Sequence, residues 1–543
     1  MSQYVIDKRD FLKGLSQSEE IGGFFRDMQG INVHSKSGVG ILMNNSSVST
    51  VYSEASATAL TSPITQIIGP IGLGGTSSIK SVIALSNNHA VRLQLSGADS
   101  ETISIIEFAG GNSIDKTGAA LYHFGSQSSS GIGLFYSSAS DIGAYDTSGT
   151  FTTEQKWNVD FMTTVPANDG APVLGSRKVR YMYHHRGHDI LYFNGGTGQG
   201  NICKFDANIG VNGTFSEDVL DLPKDWEVRG FGQLRDYLAI LAVNPLTGSA
   251  DDPFMQFRSK IFFWDGIKDS WTYETPEIAD DLLRLKNTED GLFAIGKGDG
   301  ITYYQIEFEQ AKRIFNWVGN VDITSGRRND DNDLAYYGAV ESSGNELFIL
   351  GKDGNDVHIF TAGDRFDLSS KKTIRKTFFV HSQTNTGIVD LGDLLTISPT
   401  RIYASYHDDN GGSADQYRIV RFSPGNANTT DARTDTVELD SYFGGIGRLK
   451  KLNWIRFDIE PLKTGDVLEV YKELNYAGSW TRLDGTSPAG AENSIRESDF
   501  SGENRTTIKF TRGDQFRHMR LRFDWTGGSV KIRRIVVDWD YAE

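Results

Sequence analysis

Two copies of one strand motif, Leu292-Phe293-Ala294-Ile295-Gly296-Lys297 and Leu347-Phe348-Ile349-Leu350-Gly351-Lys352, lie 55 residues apart in this chain. Related apolar runs begin at Tyr237 and Ile402, so four successive starts share the same spacing. A turn-rich segment precedes each run, and a second apolar strand follows it. A hairpin that recurs at this kind of interval is typical of the blades of a β-propeller, because one blade cannot bury both of its faces alone.

Weaker copies of the hairpin lie upstream, and they begin near Val82, Leu121 and Ile190. Together the copies predict an all-β protein with a β-propeller of about seven blades over residues 61–430. Six to eight blades, or another all-β array, stay open as alternatives. The wide gap after Leu121 predicts an insertion near residues 137–175, which are polar and rich in turn formers.

The pattern changes after a small polar linker near residue 430. Residues 435–543 alternate between apolar and polar positions, for example at Met519, Leu521, Phe523 and Trp525, which predicts a β-sandwich of the jelly-roll kind. A shift of the alternation at Arg533-Arg534 predicts a β-bulge. Residues 1–60 fit neither pattern and predict an extended N-terminal arm with a short helix between residues 7 and 20.

Composition narrows the classes of function. The chain has 543 residues, and 54 Lys+Arg against 70 Asp+Glu give a net charge of −16, which disfavours non-specific binding to nucleic acid or anionic membrane. The single cysteine, Cys203, excludes an intrachain disulfide and a multi-cysteine metal cluster. The first ten residues lack the apolar core of a signal peptide, and the sequence contains no apolar run of about 18 residues. We therefore expect a soluble protein made in a cytoplasm.

Three groups of residues are candidates for chemistry. The segment 183–189 holds three histidines that could bind a metal, but a hairpin turn with the histidines at an exposed tip is the preferred interpretation. Acidic clusters at 329–333 and 407–410 could bind calcium or form ordinary turns. Glu307 and Glu309 are two apart on a predicted strand and hence on one face, whereas glycoside hydrolysis needs two carboxylates that face each other across a substrate, so their adjacency is weak evidence for acid–base chemistry. None of these matches a catalytic motif, so we expect no enzyme and no cofactor, although a glycan hydrolase is not excluded.

Short motifs at both ends of the chain resemble virion proteins of tailed bacteriophages. The N-terminal motifs are Phe11-Leu12-Lys13-Gly14-Leu15, Gly22-Gly23-Phe24-Phe25 and Met28-Gln29-Gly30-Ile31-Asn32-Val33-His34-Ser35. The C-terminal ones are Trp480-Thr481-Arg482-Leu483 and the last strand, which ends in Val536-Val537-Asp538-Trp539-Asp540-Tyr541. The resemblance implies a structural role as a nozzle, baseplate or tail-tip adaptor protein. Its implied partners are other tail proteins and further copies of this chain around the tail axis, and it implies no cofactor. A contribution to host attachment would add a host-surface glycan to these partners.

Two other functions are compatible with the sequence. A glycan-binding or glycan-cleaving propeller could stack sugars on Tyr303, Tyr304 and the pair Tyr336-Tyr337. A bacterial surface or secreted propeller is the third alternative, and the absent signal peptide argues against it.

A basic stripe is the remaining candidate site. Residues 435–543 hold 17 Lys+Arg and 18 Asp+Glu, so nearly all of the net negative charge lies in residues 1–434. If the last two strands pair, Arg520 and Arg522 would line up with Lys531 and Arg533 and form a docking surface for an acidic partner. The alternative is a solvated sheet face with local ion pairs, for example to Asp524.

Overall fold

The structure is a computed structural model of the whole chain, and parts of it are described. The described residues are 2–7, 25–28, 31–32, 40–42, 46–54, 60, 63–72, 80–86, 89–95, 101–107, 118–122, 133–138, 141–146, 154–157, 181–195, 200–209, 214–245, 257–297, 300–318, 321–325, 337–365, 368–383, 388–398, 401–409, 416–427, 435–441, 449–462, 464–475, 477–482, 494–496, 506–511, 515–526 and 530–542. Every regular element among them is a β-strand. None of them forms a helix that could cross a membrane.

The N-terminal segment contributes five strands. They are β1 (Ser2–Asp7), β2 (Phe25–Met28), β3 (Ile31–Asn32), β4 (Gly40–Leu42) and β5 (Ser46–Glu54). The short helix expected between residues 7 and 20 falls on residues that are not described, apart from Asp7, which ends β1. None of the five strands forms a sheet of its own: β1, β2, β4 and β5 each pair with a strand from much later in the chain, and β3 pairs with β4.

The first four blades of the propeller are antiparallel sheets of four strands in chain order. Blade 1 holds β6 (Gln66–Gly72), β7 (Lys80–Leu85), β8 (His89–Leu95) and β9 (Glu101–Glu107). Blade 2 holds β10 (Ala119–Tyr122), β11 (Gly133–Ser138), β12 (Asp141–Asp146) and β13 (Glu154–Trp157). Blade 3 holds β14 (Met182–His185), β15 (Ile190–Asn194), β16 (Asn201–Asp206) and β17 (Thr214–Asp221). Blade 4 holds β18 (Glu227–Leu234), β19 (Tyr237–Pro245), β20 (Phe257–Trp264) and β21 (Tyr273–Glu274).

Three further blades complete the propeller. Blade 5 holds β22 (Asp281–Thr288), β23 (Gly291–Lys297), β24 (Gly300–Glu307) and β25 (Gln310–Val318). Blade 6 holds β26 (Val321–Asp322), β29 (Val340–Ser343), β30 (Glu346–Asp353), β31 (Asp356–Arg365) and β32 (Leu368–Ser382), and a small hairpin, β27 (Thr324–Ser325) with β28 (Tyr337–Gly338), lies between β26 and β29 in the sequence. Blade 7 holds β33 (Val389–Ser398), β34 (Arg401–Asp408) and β35 (Gln416–Ala427).

The repeat found in the sequence marks one position in the blade. The runs at Tyr237, Leu292, Leu347 and Ile402 all lie in the second strand of a blade, namely in β19, β23, β30 and β34. They are buried on both faces, because each blade packs between two neighbours. The prediction of a propeller with about seven blades is confirmed.

In blade 2, the prediction from the sequence placed the run at Leu121 one strand too far along the blade. The run at Leu121 belongs to β10, the first strand, whereas the corresponding runs of the other blades form the second. Part of the insertion expected at residues 137–175 is therefore the outer half of blade 2, β12 and β13, and residues 158–175 lie outside the described part of the chain. Short polar strands such as β12 resemble loops in their composition, which explains the error.

The propeller closes through the N-terminal segment. Strand β5 pairs with β35 as the fourth, outermost strand of blade 7, with Tyr52 opposite Ile419. The first strands of successive blades pack side by side around the ring, and β33 of blade 7 returns to β6 of blade 1. The last blade is thus built from both ends of the propeller sequence, so the ring cannot open without losing strand pairs.

The C-terminal part is a sandwich of two antiparallel sheets. Its strands are β36 (Asp435–Ser441), β37 (Lys450–Ile459), β38 (Val467–Leu474), β39 (Thr481–Arg482), β40 (Ser494–Arg496), β41 (Thr506–Thr511), β42 (Gln515–Phe516), β43 (Met519–Thr526) and β44 (Val530–Tyr541). One sheet contains β37, β41, β42 and β44 together with β1, β3 and β4. The other contains β36, β38, β39, β40 and β43 together with β2. Strands of the N-terminal arm therefore belong to both sheets.

The core of the sandwich follows the alternation read from the sequence. Leu521, Phe523, Ile535 and Val537 are fully buried between the sheets. The bulge expected near the end of the chain is confirmed, since Arg533 is the extra residue where β44 pairs with β37. The buried side chains of the sandwich and of blades 5 and 6 form one continuous apolar cluster, so the two domains share a core.

Candidate functional site: the cavity on the propeller axis

A cavity of about 720 Å³ lies on the axis of the propeller. Its lining comes from the innermost strand of every blade, β6, β10, β14, β18, β22, β29 and β33. Each of these strands pairs with its own blade along one edge only, so backbone N–H and C=O groups on the other edge are turned toward the axis. The volume falls in the range of small-molecule sites.

Bulges in the innermost strands shape this lining. The register shifts at Arg229 in β18, at Leu283 in β22 and at Gly392-Asp393 in β33. A bulge turns a side chain away from the direction that regular alternation would give it. The bulge in β33 depends on Gly392, because a Cβ atom there would overlap the Ser405 hydroxyl and the Ile64 carbonyl oxygen. As a result, the Asp393 side chain lines the cavity in place of an apolar one.

Asp393 is a buried carboxylate in this lining, with 5% of its surface exposed. Its Oδ2 accepts a hydrogen bond of 2.8 Å from the Ile67 backbone N–H of blade 1, and its own N–H donates to Ser405 Oγ at 2.9 Å. Burial raises the pKa of Asp393 to about 6, against the opposing effect of Arg284. The buried carboxylate therefore costs folding free energy at a position where an apolar side chain would not.

Two cations of blade 5, Lys286 and Arg284, line the same cavity as Asp393. Lys286 forms an ion pair with Glu341 of blade 6, and both side chains are about four-fifths buried. Arg284 lines the same cavity and, within the part of the chain that the structure describes, makes no hydrogen bond or ion pair. Burial raises the pKa of Asp393 in blade 7 and that of Tyr181 in blade 3, and the positive charge of Arg284 opposes both shifts. Because both blades lie two positions from blade 5, the Arg284 guanidinium reaches toward the axis.

Polar links across the seams hold the blades that surround the cavity. Arg229 of blade 4 forms an ion pair with Asp281 of blade 5, and the Arg229 side chain is 4% exposed. His188 of blade 3 contacts the Asp236 carbonyl oxygen of blade 4 through Nε2 at 2.7 Å. Glu101 of blade 1 binds two arginines of blade 7. Such links fix the distance between neighbouring blades and therefore the width of the cavity.

The histidine-rich segment forms a structural turn between β14 and β15. His185 Nδ1 accepts a hydrogen bond of 2.9 Å from the His188 N–H, and the two rings stack with centroids 3.7 Å apart. Burial lowers the pKa of His185 to about 4, so the ring is neutral at pH 7. His184 Nε2 lies 3.2 Å from Asp189 Oδ1. Each ring is engaged within the protein, and no metal-binding group of three residues is found among the described residues.

The other candidates for chemistry do not assemble into a site. Glu307 ends β24 and Glu309 lies in the next turn with φ of 58°, so the two carboxylates do not share a strand face. Residues 329–333 and 410 lie outside the described residues. Asp408 is fully buried and lies 2.6 Å from His381 Nε2, which makes it part of the seam between blades 6 and 7.

Two of the four tyrosines proposed for sugar stacking, Tyr303 and Tyr304, are buried and cannot stack on a sugar. Tyr303 is 1% exposed and stacks on Phe293 with ring centroids 5.1 Å apart. Tyr304 is 7% exposed, and its hydroxyl donates to Asp280 Oδ2 at 2.6 Å. That expectation was wrong because both faces of a blade strand are covered by neighbours. The side chains of Tyr336 and Tyr337 are not described.

The basic stripe does not form as predicted. Arg520 and Arg522 lie in β43, whereas Lys531 and Arg533 lie in β44, and the structure assigns these strands to different sheets. The sequence suggested that adjacent strands would form a hairpin, but β43 pairs with β36 and β38, as a sandwich topology requires. Whether any of the four residues binds a partner stays a prediction.

Arg520 and Arg522 instead belong to a stack of arginines and aromatic rings. The Arg520 guanidinium lies 5.0 Å from the Trp480 ring centroid, and that of Arg522 lies 5.2 Å from the same ring and 4.4 Å from that of Tyr471. Arg520 also pairs with Glu473 at 2.6 Å. These contacts agree with the alternative of a sheet face that carries local ion pairs, since Arg522 pairs with Asp524 at 2.9 Å.

Comparisons with known proteins give a likeness of fold at low identity. No family model and no curated protein sequence matches this chain. Among solved structures, the Chaetomium thermophilum Nup170 NTD–Nup53 complex matches at 9% identity over 77% of this chain and 65% of that chain, with a TM-score of 0.38. BBS1N in complex with ARL6DN matches at 10% identity over 71% and 99%, with a TM-score of 0.36. A Bacillus subtilis glycoside hydrolase family 43 arabinoxylan arabinofuranohydrolase matches at 10% identity over 89% and 96%, with a TM-score of 0.26.

Proposed function

We propose that the chain is a structural, non-catalytic component of the tail of a tailed-phage virion, as a nozzle, baseplate or tail-tip adaptor protein. It is made in the host cytoplasm and assembles around the tail axis with copies of itself and with other tail proteins. The proposal rests first on the motifs at both ends of the sequence, which resemble those of such virion proteins.

One structural observation supports the proposal most. The N-terminal segment enters both sheets of the sandwich through β1 to β4 and then supplies β5 to blade 7. Propeller and sandwich are therefore joined by strand pairing as well as by the chain between β35 and β36. Domains joined by a short linker alone move relative to each other by default. A tail component has to transmit force between its neighbours, and joining by paired strands suits that task.

A mass-spectrometric analysis of purified virions tests the proposal. We expect peptides of this chain in particles that have been separated from lysate by two density gradients, in a constant ratio to the other tail proteins. A host enzyme that is not part of the virion, measured in the same fractions, is the control for contamination. If the amount of this chain decreases together with the amount of that enzyme from one gradient to the next, the structural proposal is wrong.

A further inference from the structure

We propose that the axial cavity of the propeller binds a small sugar acid or sugar phosphate, with Arg284 holding the oxyanion and Asp393 accepting hydrogen bonds from hydroxyl groups. This activity goes beyond the structural role proposed above and does not depend on it.

Arg284 is the group that selects an oxyanion. Guanidinium groups inside proteins are ordinarily paired, because their five N–H donors are costly to leave without partners. Arg229, one blade away, shows the ordinary case, with its ion pair to Asp281. Arg284 makes no such contact within the described residues, although it is half-buried in the cavity lining. Its planar donor fork matches a carboxylate or a phosphate, which it can bind through two hydrogen bonds.

The carboxylate of Asp393 selects hydroxyl groups. Each carboxylate oxygen can accept about two hydrogen bonds, and the Ile67 N–H uses one site on Oδ2. Residues kept in a buried, energetically unfavourable state are commonly found at functional sites. The bulge at Gly392 places Asp393 in the lining, so its position is built into the strand. Hydroxyl groups of a sugar are donors that such an acceptor can bind in the absence of water.

The net charge of the lining and the volume of the cavity agree with a sugar acid or a sugar phosphate. Its lining holds Arg186, Arg284 and Lys286 against Glu341 and Asp393. Because Lys286 and Glu341 pair with each other, the remaining charge is positive, in a chain whose net charge is −16. A volume of about 720 Å³ holds a monosaccharide with room for bridging water.

Calorimetric titrations with four probes test the proposal on the full-length chain. The probes are glucuronate, glucose 6-phosphate, neutral glucose and inorganic phosphate. We expect at least one of the two anionic sugars to bind at least about tenfold more tightly than glucose and than inorganic phosphate, because only they carry both groups. Which of the two binds better distinguishes a sugar acid from a sugar phosphate. If neither anionic sugar binds, or if glucose binds as tightly, the proposal fails. If inorganic phosphate binds as tightly as glucose 6-phosphate, the assignment to a sugar fails.

Variants locate the binding in the cavity. Arg284→Gln removes the fork and should weaken binding of the anionic sugar at least about tenfold. Lys312→Gln makes the same change of charge on the exposed fourth strand of blade 5 and should leave the affinity unchanged. Equal affinities of the two variants would overturn the assignment. If Arg284→Gln does not fold, Arg284→Lys keeps the charge but loses the planar fork, and unchanged binding by that variant would also count against the proposal.

Discussion

The Glu101 carboxylate of blade 1 accepts hydrogen bonds of 2.6 Å on both oxygens from Arg421 Nη1 of blade 7. Arg401 Nη2 and the Tyr403 hydroxyl of the same blade donate to Oε1 at 2.5 and 2.7 Å. The Glu101 side chain is 5% exposed. The first and last blades are therefore joined by a buried, fully bonded carboxylate. This junction and strand β5 of blade 7 together close the ring.

Replacement of Glu101 tests the closure. Glu101→Gln leaves two buried guanidinium groups without their anion, so we expect a loss of about 3–5 kcal/mol of unfolding free energy. Glu277→Gln is the matched control, because Glu277 pairs with Arg258 at an exposed position and should change stability by less than about 1 kcal/mol. Urea unfolding followed by tryptophan fluorescence measures both. Equal effects of the two changes would mean that the junction does not hold the ring.

The same junction predicts a dependence of stability on acid. Burial alone would raise the pKa of Glu101, but the hydrogen bonds from Tyr403, Arg401 and Arg421 lower it overall. A carboxyl group with a lowered pKa in the folded state stabilises the fold above its unfolded pKa of about 4.3, and that contribution disappears as pH falls through the folded value. We expect the wild type to lose more stability below about pH 4.3 than Glu101→Gln does. Parallel pH profiles would contradict this.

Asp393 predicts the opposite sign. Its folded pKa of about 6 lies above the unfolded value, so its ionisation destabilises the fold as pH rises from about 4 to 6. Asp393→Asn keeps an acceptor for the Ile67 N–H and removes the charge. We expect this variant to gain about 2–3 kcal/mol of unfolding free energy relative to the wild type between pH 4 and 8. A difference that stays constant over this range would show that Asp393 is not held in a charge-disfavouring site.

The shared strands predict a graded response to truncation. Removing residues 1–45 deletes β1 to β4 from the sandwich but leaves β5 in blade 7. We expect the unfolding temperature to fall, because the weakened sandwich shares its core with blades 5 and 6. Removing residues 1–54 also deletes β5 and should lower the unfolding temperature further, because blade 7 then loses its fourth strand. Differential scanning calorimetry measures both variants, and equal curves for both truncations would mean that β5 does not close the ring.

The Arg–aromatic stack revises an expectation based on the sequence. The docking surface predicted from the sequence implies that a double charge reversal, Arg520→Glu with Arg522→Glu, leaves the fold intact and weakens assembly. Because Glu473 is 3% and Asp524 5% exposed, the new carboxylates would lie beside buried ones. We now expect the sandwich to lose several kcal/mol of stability, about 3 or more. An unchanged melting temperature of the purified double variant would restore the original expectation.

The sequence predicted the parts of the fold that repeat or alternate. Apolar second strands such as Leu292–Lys297 are more apolar than the segments around them, so their regular spacing predicted the propeller. Strands with no apolar run, such as β12 and β5, carried no comparable signal. Pairing between Tyr52 and Ile419 spans most of the chain, and a single sequence contains no information about such distant partners.

The site was missed for the same physical reason. Arg284, Glu341 and Asp393 come together only when seven blades close around an axis. One local signal was present, since Asp393 interrupts the apolar run Leu391-Gly392-Asp393-Leu394-Leu395, where a buried charge costs free energy unless it is paired and hydrogen-bonded. The histidines and the paired glutamates are close together in sequence and therefore form a recognisable local pattern, yet the structure places them in or beside turns.

Electron cryomicroscopy of purified virions tests the proposed role in the tail. We expect a reconstruction of the tail to contain several copies of a seven-bladed propeller with an attached sandwich, arranged around the tail axis. The strand β5 should lie at the outer edge of the last blade in each copy. A tail reconstruction at side-chain resolution in which every protein density is explained by other chains would overturn the proposed role.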